Sequence, residues 1–475
     1  TGGSNDSHWL EKMNALQLHR GPDDSGQFVS REAQVYLAMR RLSIVDAETG
    51  HQPMSVHNGR FYVVFNGEIF NAPELRKELE LGGVQFRTDH SDTEVLPRLY
   101  ARYGKNMLSK LNGMFAFAIY DKVSAKLFCA RDPFGIKPLY YSTVDGHFSF
   151  ASELKSLRIL PWISDELDPQ AVYHFFSFQS IPTPRSILKD VRKLPAAHYV
   201  EWDLRYKTAH IETYWQPSFS TRLPDLDGQL SSYVRHEFKQ AVHRWTMSDV
   251  PIACSLSGGL DSSAITAVLS ERTKGPVRTY SLGFDDAPEL DERNLALQIA
   301  KRYRTDHHEI VIHSKDLLKQ LDTMLYHLDE PYAGGLPSWF VFKAMSKDVK
   351  VAMTGTGGDE LFGNYGKWRA YEHPVDFYRG LKRFFRQGGN LPDLLKFPRG
   401  CLYHPAYYTD RKKREVLFAS DFLKNVQESS LSLISQQWDR SLSPRDAITN
   451  IDFGHQLPEE FLFMTDRFSM AQSLE

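Results

Sequence analysis

The chain has 475 residues, 41% of them hydrophobic, with 57 basic against 59 acidic side chains and a formal charge of −2. That length supplies two or three packed domains, and no run of about 18 uncharged apolar residues is present to span a membrane. The balanced charge excludes a strong overall field for nucleic acid or anionic lipid, so the expected partners are small molecules. Cys129, Cys254 and Cys401 lie far apart without C-x-x-C spacing, which argues against a zinc site or a disulfide framework and fits a reducing cytoplasm. The opening TGGSNDSHWLEK shows no basic segment leading into an apolar core, so no secretory signal is read there.

Through about residue 205 short strand-like runs dominate: FYVVFNG from Phe61, MFAFAIYD from Met114, KLFCARD from Lys126, KPLYYST from Lys137 and HFSFAS from His147. Asn58-Gly59 and Asp145-Gly146 read as hairpin turns. Helical spacing appears in APELRKELEL from Ala72 and TEVLPRLYARYG from Thr93. This half predicts packed antiparallel sheets with a few helices. WQPSFSTRLPDLDGQ is proline-bearing and polar, and the reading places a linker at 206–227. From residue 228 strands and helices alternate: VPIACSL, SSAITAVLSERTK, VRTYSLGF, ERNLALQIAKRY, DHHEIVIH and, after two helical stretches, VKVAMTGT. Such alternation predicts a parallel, doubly wound sheet. The stretch 370–450 is mixed and rich in aromatic and basic residues, and no chemistry is assigned to it.

Two glycine-rich turns carry the chemistry of this half. In CSLSGGLDSS, from Cys254, a strand's carboxyl end passes through two glycines into a helix, where free N–H groups and the helix dipole favour phosphate. The loop lacks the lysine that a G-x-x-x-x-G-K-[ST] loop uses on terminal phosphates. TGTGGDELFGNYG, from Thr354, follows VKVAM in the same way. Parallel strands put both turns on one edge of the sheet, where Asp261 and Asp359 would approach the same phosphates with Mg²⁺ between them. The alternative is that each Asp only caps its helix.

SGGLDSS resembles the pyrophosphate loop of the ATP-pyrophosphatase superfamily, and together with GGDELFGNY it is similar to the synthetase domain of asparagine synthetases. That resemblance implies that ATP is split between its α and β phosphates, that a substrate carboxylate becomes an acyl-adenylate, and that ammonia displaces AMP. It implies that Ser257, Gly258, Gly259, Asp261, Ser262 and Ser263 form the phosphate loop, with Asp261 and Asp359 holding Mg²⁺. Leu256, Leu282 and Gly355 would lie near the adenosine.

In the first half HRGPD at His19, RLSIVD from Arg41, FNGEIFN from Phe65, SDTE from Ser91 and RDPFGIKPLYY from Arg131 resemble, in that order, the class II glutamine amidotransferase domain. An Ntn-type antiparallel β-sandwich that hydrolyses glutamine is the implied fold. Arg41 would pair with the α-carboxylate through its forked guanidinium. Asn66 and the Gly67 N–H would form the oxyanion hole, and Glu68 and Asp92 would meet the α-amino group. Without the resemblance, Arg41 reads as a surface ion pair and Asp92 as a helix cap.

Three features depart from the family. Its nucleophile is a cysteine exposed at the mature amino terminus, whereas this sequence opens with Thr1; TGG reads as the turn after a strand that would carry that cysteine upstream. At the other end DRFSMAQSLE resembles a longer family segment and stops halfway through it, so the synthetase domain is expected to continue. The second loop departs as well. The family typically reads S-G-E-G-G-D-E there, and this chain reads TGTGGDE with Thr356 in the glutamate's place. A hydroxyl is no general base near neutral pH.

The expectation is a two-domain enzyme, glutaminase at 1–205 and synthetase at 228–475, in which ammonia crosses an internal channel. The acceptor is aspartate by default, or another carboxylate such as a sugar uronic acid or a cell-envelope or natural-product intermediate. Two rival readings remain: a synthetase without glutaminase chemistry that closes an amide ring, and a silent binding protein. Glutamine, ATP and a carboxylate are the expected partners, in the cytoplasm, with a homodimer compatible.

Overall fold

The computed structural model describes residues 6–219, 228–363, 365–386, 388–396, 398 and 413–475. Its first half contains β1 (Asp24–Ser30), β2 (Val35–Arg41), β3 (Met54–Val56), β4 (Phe61–Ile69), β5 (Gly113–Asp121), β6 (Lys126–Arg131), β7 (Tyr140–Ser142), β8 (Ser149–Ala151), β9 (Arg192–Lys193), β10 (His198–Asp203) and β11 (Thr208–Thr213). Six of them form an antiparallel sheet in the order β11-β10-β6-β5-β4-β3. Strand alternation sorts the side chains into two cores. Phe61, Val63, Phe65 and Ile69 of β4 pack with helices Ala72–Leu81 and Asp92–Tyr103. Val64, with Ala116, Ala118 and Tyr120 of β5, faces the opposite core, where Val35 and Leu37 of β2 and Tyr141 of β7 lie. The expected hairpin turns form, with Asn58 and Gly59 at φ 54° and 78°, and Asp145 and Gly146 at 52° and 70°.

The linker read at 206–227 begins later than that in the structure. Thr208–Thr213 pairs with β10 as the edge strand of the sheet. All six of its residues are exposed, so no apolar run marks it in the sequence.

The second half holds β12 (Ile252–Ser255), β13 (Arg278–Phe284), β14 (Asp306–Ile312) and β15 (Val351–Met353), all parallel, in the order β14-β13-β12-β15. Helices cover both faces. Val242, Ile265, Val268 and Leu269 pack around Cys254 on one side, and Trp339, Phe342, Met464 and Phe468 pack with Ala253 and Tyr280 on the other. The chain winds outward from β12 to β14 and then returns to place β15 on the far side of β12. The winding direction therefore reverses between β12 and β15, and an open parallel sheet binds ligands outside the carboxyl ends at such a reversal.

Buried charges join the halves. Arg20 donates to both carboxylate oxygens of Asp466 at 2.8 and 2.9 Å. Glu153 sits among His19, Arg20, Lys155 and Arg467. Burial pushes its carboxyl up, but the His19 bond and the Arg467, Arg20 and Lys155 charges outweigh burial and hold it well below the usual range. Such pairs contribute less to stability than to fixing how the halves dock, because each ion is stripped of water to form them.

Candidate active sites

At the β12–β15 reversal the two glycine-rich loops meet. Gly258 has φ 85°, and a Cβ there would lie 2.6 Å from Cβ of Leu295, so both the turn and the close approach of helix Arg293–Tyr303 require glycine. Ser262 Oγ stitches the turn together, accepting from the Ser257 N–H at 3.2 Å and lying 3.1 Å from Ser257 Oγ. Ser263 Oγ is buried without a partner. The second loop presses against the first: a Cβ on Gly358 would fall 2.5 Å from Cγ of Asp261, and one on Gly355 3.0 Å from the Ser262 nitrogen. A cavity of about 250 Å³ opens between the loops, walled by Ser257, Gly259, Asp261, Ser262, Gly355 and Thr356.

Asp261 lies in the first turn of helix Leu260–Arg272, beyond its cap at Gly259. Burial, and then the charge of Asp359, raises its carboxyl above the usual value. Two carboxylates that repel each other beside an anion-binding loop fit a hard divalent cation. Among the described residues no group of three or more His, Cys, Asp or Glu could hold a metal alone, so phosphate oxygens would have to complete its shell. Leu256 and Leu282 are not on the cavity wall. Leu256 packs with Ala296 and Ala300, and Leu282 against the Trp339 core.

The second cavity, of about 120 Å³, lies in the first half and brings together Arg41, Asn66, Gly67, Glu68 and Asp92. It owes its position to the shortness of β3, which pairs with β4 only as far as Val63. Past that point β4 has an open edge. The Phe65 N–H is taken by Gln52 Oε1 at 2.7 Å and the Ile69 N–H by Asp92 Oδ2 at 3.0 Å. Alternation directs the Gly67 N–H to the same edge, between those two. Gly67 has φ 125°, and a Cβ there would strike the Met114 carbonyl oxygen at 2.0 Å. Beside it Asn66 Nδ2 is buried without a partner. Asn66 and Gly67 both line this pocket, the position the oxyanion-hole expectation requires of them.

Glu68 Oε2 is also buried and partnerless. Burial, reinforced by Asp92 and Glu475, raises its carboxyl well above the ordinary 4.5, and burial likewise raises Asp92, moderated by the Ile69 N–H. The charges of Lys137, on Glu68, and of Arg41, on Asp92, oppose these shifts. Glu68→Gln tests the raised Glu68 by stability. A raised folded pKa gives stability that is full below the ordinary 4.5 and is lost as pH rises through the folded value. The variant is therefore expected to flatten the fall of Tm with pH above 4.5; a Tm profile parallel to the parent would refute a protonated Glu68.

Arg41 lines this pocket but not as a bare guanidinium. Its Nη2 donates to the carbonyls of Val45 and Asp46, both at 2.7 Å, and Nη1 to that of Ala47 at 3.3 Å. It therefore clamps the loop after β2, a role the sequence reading missed. Asp249, just ahead of β12, pins the same loop by accepting from the Asp46 N–H at 2.8 Å, while its own N–H donates to the Ile44 carbonyl at 3.0 Å. Gln52, which also binds Thr93 Oγ1 at 3.2 Å, was missed too. No local pattern marks Gln52 or Asp249, since each acts on a distant element. Of the cysteines, Cys129 and Cys254 are buried in the two cores; burial pushes the Cys129 thiol up and the Cys254 thiol up to about 11. Thr1 and Cys401 lie outside the described residues.

Helix Phe463–Met470 touches both cavities: Met464 and Thr465 line the one between the glycine loops, and Met470 lines the one beside β4. A small space along the same helix, bordered by Tyr140, Lys193, Glu459, Phe463, Asp466 and Arg467, lies between the halves.

A family described as a glutamine amidotransferase domain matches residues 1–215, and one described as asparagine synthase matches residues 233–475. The chain is 35% identical, over 98% of its length and 75% of the relative's, to glutamine-hydrolyzing asparagine synthetase 1 of Bacillus subtilis. It is 31% identical to a putative glutamine-hydrolyzing asparagine synthetase 2 of Methanocaldococcus jannaschii, covering 97% of this chain and 95% of that one. A putative glutamine-hydrolyzing asparagine synthetase of Mycobacterium tuberculosis is 32% identical over 100% of this chain and 76% of its own. With an amidotransferase domain ahead of a synthase domain and relatives of that kind along its whole length, the chain belongs to the glutamine-hydrolysing asparagine synthetase family.

Proposed function

We propose that this glutamine-dependent, ATP-using amidotransferase releases ammonia in the pocket beside β4 and delivers it to an adenylated carboxylate, aspartate by default, in the crevice between β12 and β15. The observation that carries the reading is helix Phe463–Met470, one rigid element with residues in both cavities.

In the first pocket Glu68 and Asp92 receive the α-ammonium of glutamine, while Asn66 Nδ2 and the Gly67 N–H receive the oxygen of its amide as negative charge develops there. Arg41 holds the pocket loop and turns its remaining N–H groups toward the α-carboxylate. Neither buried cysteine can serve as nucleophile, and the reading keeps the amino-terminal cysteine of the family for that role. In the second pocket the SGGLDSS loop cradles the pyrophosphate end of ATP. Asp261 and Asp359 would hold Mg²⁺, which when bound neutralises the leaving pyrophosphate.

Thr356 faces this second cavity, where its hydroxyl accepts from Thr354 Oγ1 at 3.0 Å. The family's glutamate at that position would bring a carboxylate to the acceptor, and Thr356 brings none. Aspartate remains the acceptor because the relatives that align with the whole chain are named asparagine synthetases. The reading is tested by measuring AMP release with ATP, ammonium and a panel of carboxylates that includes aspartate and uronic acid derivatives. Aspartate is expected to give asparagine and AMP in equal amounts, and Thr356→Glu to raise that turnover. AMP release with a uronic acid and none with aspartate would overturn the assignment.

A further inference from the structure

The mixed stretch after residue 370 contains helix Pro374–Arg386, PVDFYRGLKRFFR, which carries Arg379, Lys382, Arg383 and Arg386 against a single carboxylate, Asp376. At 100° per residue Phe377, Tyr378, Leu381, Phe384 and Phe385 fall on one arc and the four cations on the other. A helix of this pattern normally buries its aromatic arc. Here only Phe384 is fully inserted, 4% exposed and packed with Leu431 and Leu394. Val375 and Tyr378 are 63% and 66% exposed, Phe377 and Phe385 45% and 44%. On the next helix, Leu391–Lys396, Leu391 and Leu395 are exposed at 57% and 75%. Lys382, Arg383 and Arg386 are exposed beside them, and Arg379 pairs within the helix to Asp376 at 3.2 Å.

We propose that this face docks on an anionic lipid bilayer, with the helix lying in the plane of the headgroups. Aromatic rings bordered by arginine and lysine suit that depth, where the rings enter the acyl boundary and the cations reach lipid phosphates. Aromatic residues and arginine also suit a protein interface, where lysine is depleted; Lys382, between the arc holding Tyr378 and Phe385 and that of Arg386, is what favours lipid. The whole chain carries −2, so the attraction is local and would orient the protein rather than simply concentrate it. With 13 residues the helix is too short to span a bilayer, and binding is peripheral and reversible.

The test is co-sedimentation of the full chain with vesicles of phosphatidylcholine that contain about one third phosphatidylserine, and with vesicles of phosphatidylcholine alone. The anionic vesicles are expected to carry the protein down, and raised salt to release it. Lys382→Gln with Arg386→Gln is expected to weaken binding about 25-fold, at roughly fivefold per cation. Tyr378→Ser with Phe385→Ser is expected to weaken it with little change in salt dependence. ATP-dependent activity, unchanged in both pairs, shows that the variants fold. Equal sedimentation of parent and variants, or none, would overturn the proposal. So would capture by polyglutamate, or self-association in solution, that the same substitutions remove without any lipid binding by the parent.

Discussion

Asp261→Asn is expected to abolish the carboxylate-dependent exchange of pyrophosphate into ATP, by about 10³-fold or more, while glutamine hydrolysis continues. The size follows from position. Asp261 is the point at which the two loops touch, within the distance a single methyl group on Gly358 would close, and Asp359 already disfavours its charge. On the proposed reading that repulsion is relieved by Mg²⁺ shared with the phosphates, and losing several kcal/mol of metal-borne stabilisation at about 1.4 kcal/mol per decade costs three decades or more. The amide form keeps the volume and fills the same gap, so folding should survive, as a Tm near the parent's would show. Exchange at the parent's rate would remove Asp261 from the metal site.

Asn66→Ala is expected to lower kcat for glutamine hydrolysis about 10²- to 10³-fold with a small change in KM, the effect of losing one oxyanion donor. Asn66 Nδ2 has no partner in the folded chain, so its removal breaks no structural bond. The neighbouring Gly67 N–H remains as a single donor. Synthesis driven by added ammonium should be unaffected, because among the described residues different side chains line the two cavities. A parallel loss of ammonium-driven synthesis, or a rise in KM with kcat intact, would show Asn66 to be a binding or structural residue.

Both assignments rest on features legible without coordinates. The apolar runs that became β4, β5, β12 and β13 announce themselves through alternation or length, because a strand's side chains must satisfy the faces it touches. Gly258 is legible for the same local reason, since a strand that turns at once into a helix needs a residue free to adopt positive φ. The order of short motifs, each weak alone, identified the family before any contact was known.

Other features depend on contacts between residues far apart in the chain, for which composition and periodicity carry no record. Arg41 was expected to face a substrate carboxylate, yet the fold gives three of its bonds to the carbonyls of its own loop. Asp92 was expected to meet an amino group or cap its helix, and its bond to the Ile69 N–H exists because β3 stops short and leaves β4 an open edge. Asp249 secures the loop after β2 from 203 residues away. The sequence by itself determined which elements form and which chemistry the two loops can support, since those follow from backbone freedom and side-chain spacing. The tertiary structure alone decided which polar groups are already occupied and which remain for a ligand, and which face of Pro374–Arg386 is left to solvent, because partnership and burial are properties of the packed chain.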